Sequence, residues 1–135
     1  MAADEKVMIM DADYSDEAMD PVIERILDNL APDLSGKTVL VKPNILAQFK
    51  AERGATTNPA VVKAVVKALK KRNPKKIMVG DNPGATAFGI NEKCAKLSGI
   101  LDAADGCYIN LMERPKVVEI NSKYLDKVNI SSEFF

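Results

Sequence analysis

Thr38-Val39-Leu40-Val41-Lys42-Pro43-Asn44 and Lys76-Ile77-Met78-Val79-Gly80-Asp81-Asn82-Pro83-Gly84 share one design, an apolar run that ends in a polar cluster. Between them, Gly54-Ala55-Thr56-Thr57-Asn58-Pro59 opens a helix-period segment. In that segment Val61, Val62, Val65, Val66 and Leu69 form one stripe and Lys63, Lys67, Lys70 and Lys71 the other. Thr57 or Asn58 supplies its N-cap and Pro59 its first position, where the missing N–H costs nothing. Asn73-Pro74 ends it. A strand, a helix and a second strand within about forty residues fit a right-handed parallel crossover. The near absence of alternation in Thr38 to Val41 is that of a strand covered on both faces.

The same reading extends outward. Val7-Met8-Ile9-Met10, followed by Asp11, Asp13 and Ser15, predicts a strand and a loop. A helix is expected from Pro21, capped by Asp20, with Val22, Ile23, Ile26, Leu27 and Leu30 on its buried side and Pro32 ending it. Residues 45–57 read as a long loop. Beyond Gly84 the pattern predicts a helix from Asn91 to Leu101, short strands at Tyr108 to Leu111 and Val117 to Ile120, and an edge strand within Leu125 to Ile130. The expected fold is a single α/β domain over residues 1–135. It is read as a three-layer sandwich with a mainly parallel sheet, mixed, if anywhere, at its C-terminal edge.

Composition narrows the function classes. With 47% apolar and 28% charged residues, the chain has the make-up of a globular domain. No apolar run approaches the ~20 residues of a membrane span. The acidic N-terminus carries no signal-peptide pattern, so a cytoplasmic location is expected. There is no His, which removes Ser-His-Asp and Cys-His hydrolysis within the chain. Cys94 and Cys107 form no C-x-x-C pair and read as packed or idle thiols; the chain alone builds neither a zinc ribbon nor an iron–sulfur cluster. Net charge is zero, yet residues 1–33 hold ten acidic and two basic side chains, and residues 36–76 hold eleven basic and one acidic. The two regions attract one another, or the basic one serves an acidic partner, or the lysines form a solvated helix face. The last reading is adopted for most of them. With few aromatics and no Trp, nucleic acid is not the expected partner.

Ligands of open α/β sheets sit beyond the carboxyl ends of the strands, and that rule selects the candidate site. Pro43 biases Lys42 towards an extended backbone, so Lys42 and Asn44 project in a fixed direction to meet a carboxylate or phosphate. The plainer reading is a snorkelling lysine beside a loop-capping asparagine. Thr56 and Thr57 stand at a helix start whose free N–H groups attract anions, although simple capping accounts for one hydroxyl. Asp81, Asn82 and Gly84 lie in Gly80-Asp81-Asn82-Pro83-Gly84-Ala85-Thr86, which is also good β-turn composition; Asp81 suits a metal ion, a ribose hydroxyl or a proton. The glycine spacing is not the dinucleotide pattern, so NAD is not supported. Gly36-Lys37-Thr38 fails as a phosphate-binding loop, because position 31 is Ala and a strand follows.

Read in order, Val39-Leu40-Val41-Lys42-Pro43-Asn44-Ile45, Ala55-Thr56-Thr57-Asn58-Pro59 with its valine-rich helix, and Val79-Gly80-Asp81-Asn82-Pro83-Gly84 resemble domain of unknown function family 362. The opening Val7-Met8-Ile9-Met10 with its acidic loop also looks like the family's start. The resemblance implies an α/β domain often joined to ferredoxin-type iron–sulfur modules, and it brings no settled reaction or catalytic residues. It also implies a further strand with a Pro-Lys-Leu-Lys-Thr-His-like segment past Phe135, so the chain is expected to be an N-terminal portion of the family domain. Two functions follow as expectations. In the first, Lys42, Asn44, Thr56, Thr57, Asp81, Asn82 and Gly84 bind a small anionic metabolite or cofactor, with or without Mg²⁺ at Asp81. In the second, the domain is a non-catalytic accessory that docks an iron–sulfur or redox protein. The apolar tail Phe134-Phe135 leads us to expect a homo-oligomer or a tail folded over its own core.

Overall fold

The structure, a computed structural model, describes residues 6–84, 87–120 and 122–135. Helix α1 spans Asp16–Leu30, strand β1 Thr38–Val41, helix α2 Pro59–Lys70 and strand β2 Lys76–Val79. Two short helices follow, α3 over Asn91–Leu97 and α4 over Ile100–Ala103, and then strands β3 (Pro115–Glu119) and β4 (Lys127–Ser131). Single 3-10 turns cover Ala51–Arg53 and Ser132–Phe134.

The chain is an α/β fold with one parallel and one antiparallel strand pair. β1 and β2 run parallel with Thr38 opposite Lys76 and Val41 opposite Val79, so both strands end at the same edge. Tyr108 adds an isolated parallel bridge to Val79: the Val79 N–H donates to the Cys107 carbonyl at 2.8 Å, and the Ile109 N–H donates to the Val79 carbonyl at 2.8 Å. The expected strand at Tyr108 to Leu111 is thus one bridge long. Gly80 explains the close approach, since a Cβ there would lie 2.6 Å from the Ile109 carbonyl oxygen. β3 and β4 form a separate antiparallel hairpin.

The core is built from β2, α2 and the short helices. Ile45, Val62, Val66, Val79, Cys94 and Ile100 are all 0–1% exposed and form one cluster, with Val41 packed against it. The periodicity of α2 is realised as expected: Val62, Val66 and Leu69 are buried, and Asn58 caps the helix by accepting the Ala60 N–H at 2.9 Å.

Three sequence expectations are corrected. Val7–Met10 is not a strand among the described residues; Val7 and Ile9 are 83% and 93% exposed, because an apolar run becomes a strand only where a ladder partner receives it. α1 begins a turn before Pro21, capped by Ser15, whose Oγ accepts the Ala18 N–H at 3.3 Å. Pro21, the sixth residue of the helix, forfeits the bond to the Glu17 carbonyl, yet α1 runs through it to Leu30. The helix expected from Asn91 to Leu101 is broken in two by Gly99 at φ 80°, a left-handed conformation that no continuous helix accommodates.

Candidate functional site

The crossover brings the three polar clusters together. Asp81 follows β2 and is buried at 3% exposure. Its Oδ2 accepts the Ile45 N–H at 2.8 Å, which ties the loop after β2 to the loop after β1. Its Oδ1 faces the ammonium of Lys42 as an ion pair. Among the described residues Oδ1 has no hydrogen bond of good geometry, so the Lys42 contact is one of charge rather than a directed bond. The pair is lopsided: the Lys42 side chain is 61% exposed and that of Asp81 4%.

Asn44, Thr56 and Thr57 form a second knot. The Asn44 N–H donates to Thr57 Oγ1 at 2.9 Å, and the Asn44 carbonyl accepts both the Thr56 hydroxyl at 2.7 Å and the Thr57 N–H at 2.9 Å. Asn44 Nδ2 donates to the Ala55 carbonyl at 3.1 Å. Both threonine hydroxyls are therefore committed to the backbone after β1, and the helix cap falls to Asn58. The third link is made by the remaining residues. Gly84 N–H donates to the Leu46 carbonyl at 2.8 Å, and Asn82 Oδ1 accepts from Asn91 Nδ2 at 2.9 Å. The Ala85-Thr86 end of this cluster lies outside the described residues.

Asn91 is the residue that sequence reasoning missed. It opens α3, is 1% exposed, and its Nδ2 also reaches the Asp81 carbonyl at 3.3 Å, so it braces the loop that carries Asp81. Its Oδ1 is buried without a partner among the described residues. The one signal in the sequence was an asparagine at the start of a helical period, which capping explains equally well. Tyr108 is another addition. Its hydroxyl is buried without a partner among the described residues, and burial, helped by nearby acidic groups, pushes its pKa up to about 12.

Two features limit the chemistry. Among the described residues no group of three His, Cys, Asp or Glu could share a metal ion. A divalent cation would find Asp81 as its carboxylate and take its remaining ligands from a bound anion and water, a mode that suits Mg²⁺. A groove of about 780 Å³ lies elsewhere, along α2 and α4, where Lys63, Lys67 and Lys70 border it beside Pro59 and Ala103. Those lysines are already paired with carboxylates, so volume and free chemistry do not coincide there. No described helix is long and apolar enough to cross a membrane.

Fold and site together define a small α/β domain with an interlocked polar cluster at the carboxyl ends of a parallel strand pair. The chain belongs to the family described as Domain of unknown function (DUF362), which matches residues 39–135 and so takes in β1 from Val39 on, the knot, Asp81 and everything after it. Neither a curated protein nor a solved structure gives a significant match.

Proposed function

We propose that this domain binds a small anionic metabolite or cofactor at the carboxyl ends of β1 and β2, with Lys42 as the cation that meets it. The supporting observation is the lopsided Lys42–Asp81 pair: an exposed ammonium rests on a buried carboxylate oxygen that has no other partner among the described residues. An arriving carboxylate or phosphate draws the ammonium away, because a lysine head is a point charge on a flexible stem. Asp81 Oδ1 is then left buried and uncompensated, which costs several kcal/mol, typically about 3–5, unless a cation replaces the lysine. Mg²⁺ or a proton fills that role, so anion and cation enter together. Asn44, Thr56 and Thr57 act by holding the loop, and Asn82 and Gly84 by placing Asp81. The reading takes as its frame a three-layer sandwich with a mainly parallel sheet.

Calorimetric titration with phosphate and with citrate, each with and without Mg²⁺, tests this. Saturable binding that Mg²⁺ strengthens and that Lys42→Gln abolishes, with the circular dichroism spectrum unchanged, is expected. Binding that is indifferent to both Mg²⁺ and Lys42 sinks the proposal.

A further inference from the structure

The acidic and basic regions of the sequence meet along α1 and α2, and the register of their contact is informative. Lys63 pairs with Asp16 at 2.6 Å, Lys67 with Asp20, and Lys71 with Glu24 at 2.6 Å. Each pair is separated by 47 residues, so the two helices run parallel and step together at four-residue intervals. Arg72 closes the row on Glu24 at 2.7 Å and on Asp28. The lysine face expected to be solvated is half-exposed and also forms a row of ion pairs.

The apolar seam beneath this row is thin. From α1 only Met19 and Ile23 are buried, with Leu27 half-buried beside them. They rest on Ala64 and Ala68, with Val61 and Val65 at the margin. This cluster is separate from the main core of Ile45, Val62, Val66, Val79 and Ile100. α1 also lies wholly before the family-matched stretch, which begins at residue 39.

We propose that α1 is a releasable cover, held by a row of ion pairs over a short apolar seam, that leaves the face of α2 as one unit while the β1–α2–β2 core stays folded. Most of its ion-pair partners are substantially exposed, with Asp16 and Asp28 51% and 67% open and Lys63 and Lys71 56% and 58%. Exposed pairs of this kind are screened by salt, since the Debye length falls to about 3 Å at 1 M. What release uncovers is the short seam of Met19 and Ile23 against Ala64 and Ala68, together with the cations Lys63 and Lys67 of α2 and Lys71 and Arg72 just after it. Asp16 is also one wall of the 780 Å³ groove, so its departure opens that groove and frees lysines on its border. The cover is thus an ionic-strength-sensitive gate over a cationic face.

Hydrogen exchange on the full chain, at about 20 mM and about 1 M NaCl, reads this directly. The expected result is at least a tenfold rise in exchange for amides between Met19 and Leu30, with those of Val62 to Leu69 and of Met78 and Val79 unchanged. Asp20→Lys combined with Glu24→Lys gives the same pattern already at low salt, and adding Lys67→Asp with Lys71→Glu restores protection. If α1 amides ignore both salt and charge reversal, or if α1 and β2 accelerate together, α1 is an ordinary part of the cooperative core and the proposal is overturned.

Discussion

Of the places where lysine meets carboxylate in this molecule, the strand ends and the α1–α2 seam differ most in their surroundings, and the two contacts have different meanings. At the strand ends, Lys42 faces a carboxylate that is 4% exposed and also anchored to the Ile45 N–H. Along the α1–α2 seam, carboxylates and lysines pair in series, largely in the open. Water stabilises separated charges nearly as well as paired ones, so each exposed pair contributes little, typically about 0–1 kcal/mol. A buried carboxylate has no such alternative, and its partners decide whether the loop keeps its shape. One contact organises the strand-end loops, and the other adds a salt-sensitive row over an apolar seam.

The largest effect expected from this contrast is at Asp81. Asp81→Ala orphans the buried Ile45 N–H and breaks the link between the two strand-end loops, at a cost of about 3 kcal/mol. Urea unfolding measures it, and a loss below that for Glu24→Gln would erase the distinction between the two regions. Thr57→Ala comes next: it leaves the Asn44 N–H without its acceptor and costs about 1–2 kcal/mol, whereas Thr56→Ala removes one hydroxyl donor and costs about 1 kcal/mol. Equal melting temperatures for the two threonine variants would show that the knot does not depend on which partner is lost. At the seam, Glu24→Gln deprives both Lys71 and Arg72 of a charge, yet costs only about 0.5–1 kcal/mol at low salt, and the effect disappears at about 1 M NaCl.

The smallest effect is a pH dependence that sharpens the seam's side of the comparison. Hydrogen bonding from Lys63 holds the Asp16 carboxyl below its ordinary value, and hydrogen bonds from Lys71 and Arg72 do the same for Glu24. A folded-state pKa below the unfolded one contributes stability that is present above the unfolded value, 3.8 for Asp16 and 4.5 for Glu24, and is lost as pH falls through the depressed value. Stability should therefore decline below about pH 4.5, and Asp16→Asn with Glu24→Gln should flatten the decline. An acid limb of unchanged slope in that double variant would place the titrating groups elsewhere.

Much of the α2 crossover was legible because its signals are local. Asn58 before Pro59, a valine stripe at helical spacing and Asn73-Pro74 at the end each act within a turn or two, and the helix follows them closely. That the polar clusters gather at one edge was legible, since parallel strands bring their carboxyl ends together, but their hydrogen-bond partners were not. Thr56 and Thr57 read as ligand contacts or a helix cap, and both bond the Asn44 backbone, Thr56 as donor and Thr57 as acceptor, because the loop after β1 passes close to the helix start. Asn91 was missed because its partners, Asp81 and Asn82, are ten and nine residues away and come within reach only when α3 folds back.

Sequence alone determined the α/β character, the β1–α2–β2 crossover, and the strand-end position of Lys42, Asn44, Thr56, Thr57, Asp81, Asn82 and Gly84. It did so through periodicity, caps and turn residues, which depend on near neighbours. Only the tertiary structure decided that Val7–Met10 stays out of the sheet, that Tyr108 contributes a single bridge, and that α1 lies parallel to α2 on a row of ion pairs. Those outcomes turn on which groups, distant in sequence, find a partner in space. An unpaired strand must leave its backbone hydrogen bonds to water, and a charge becomes a contact only when the fold carries the opposite charge to it.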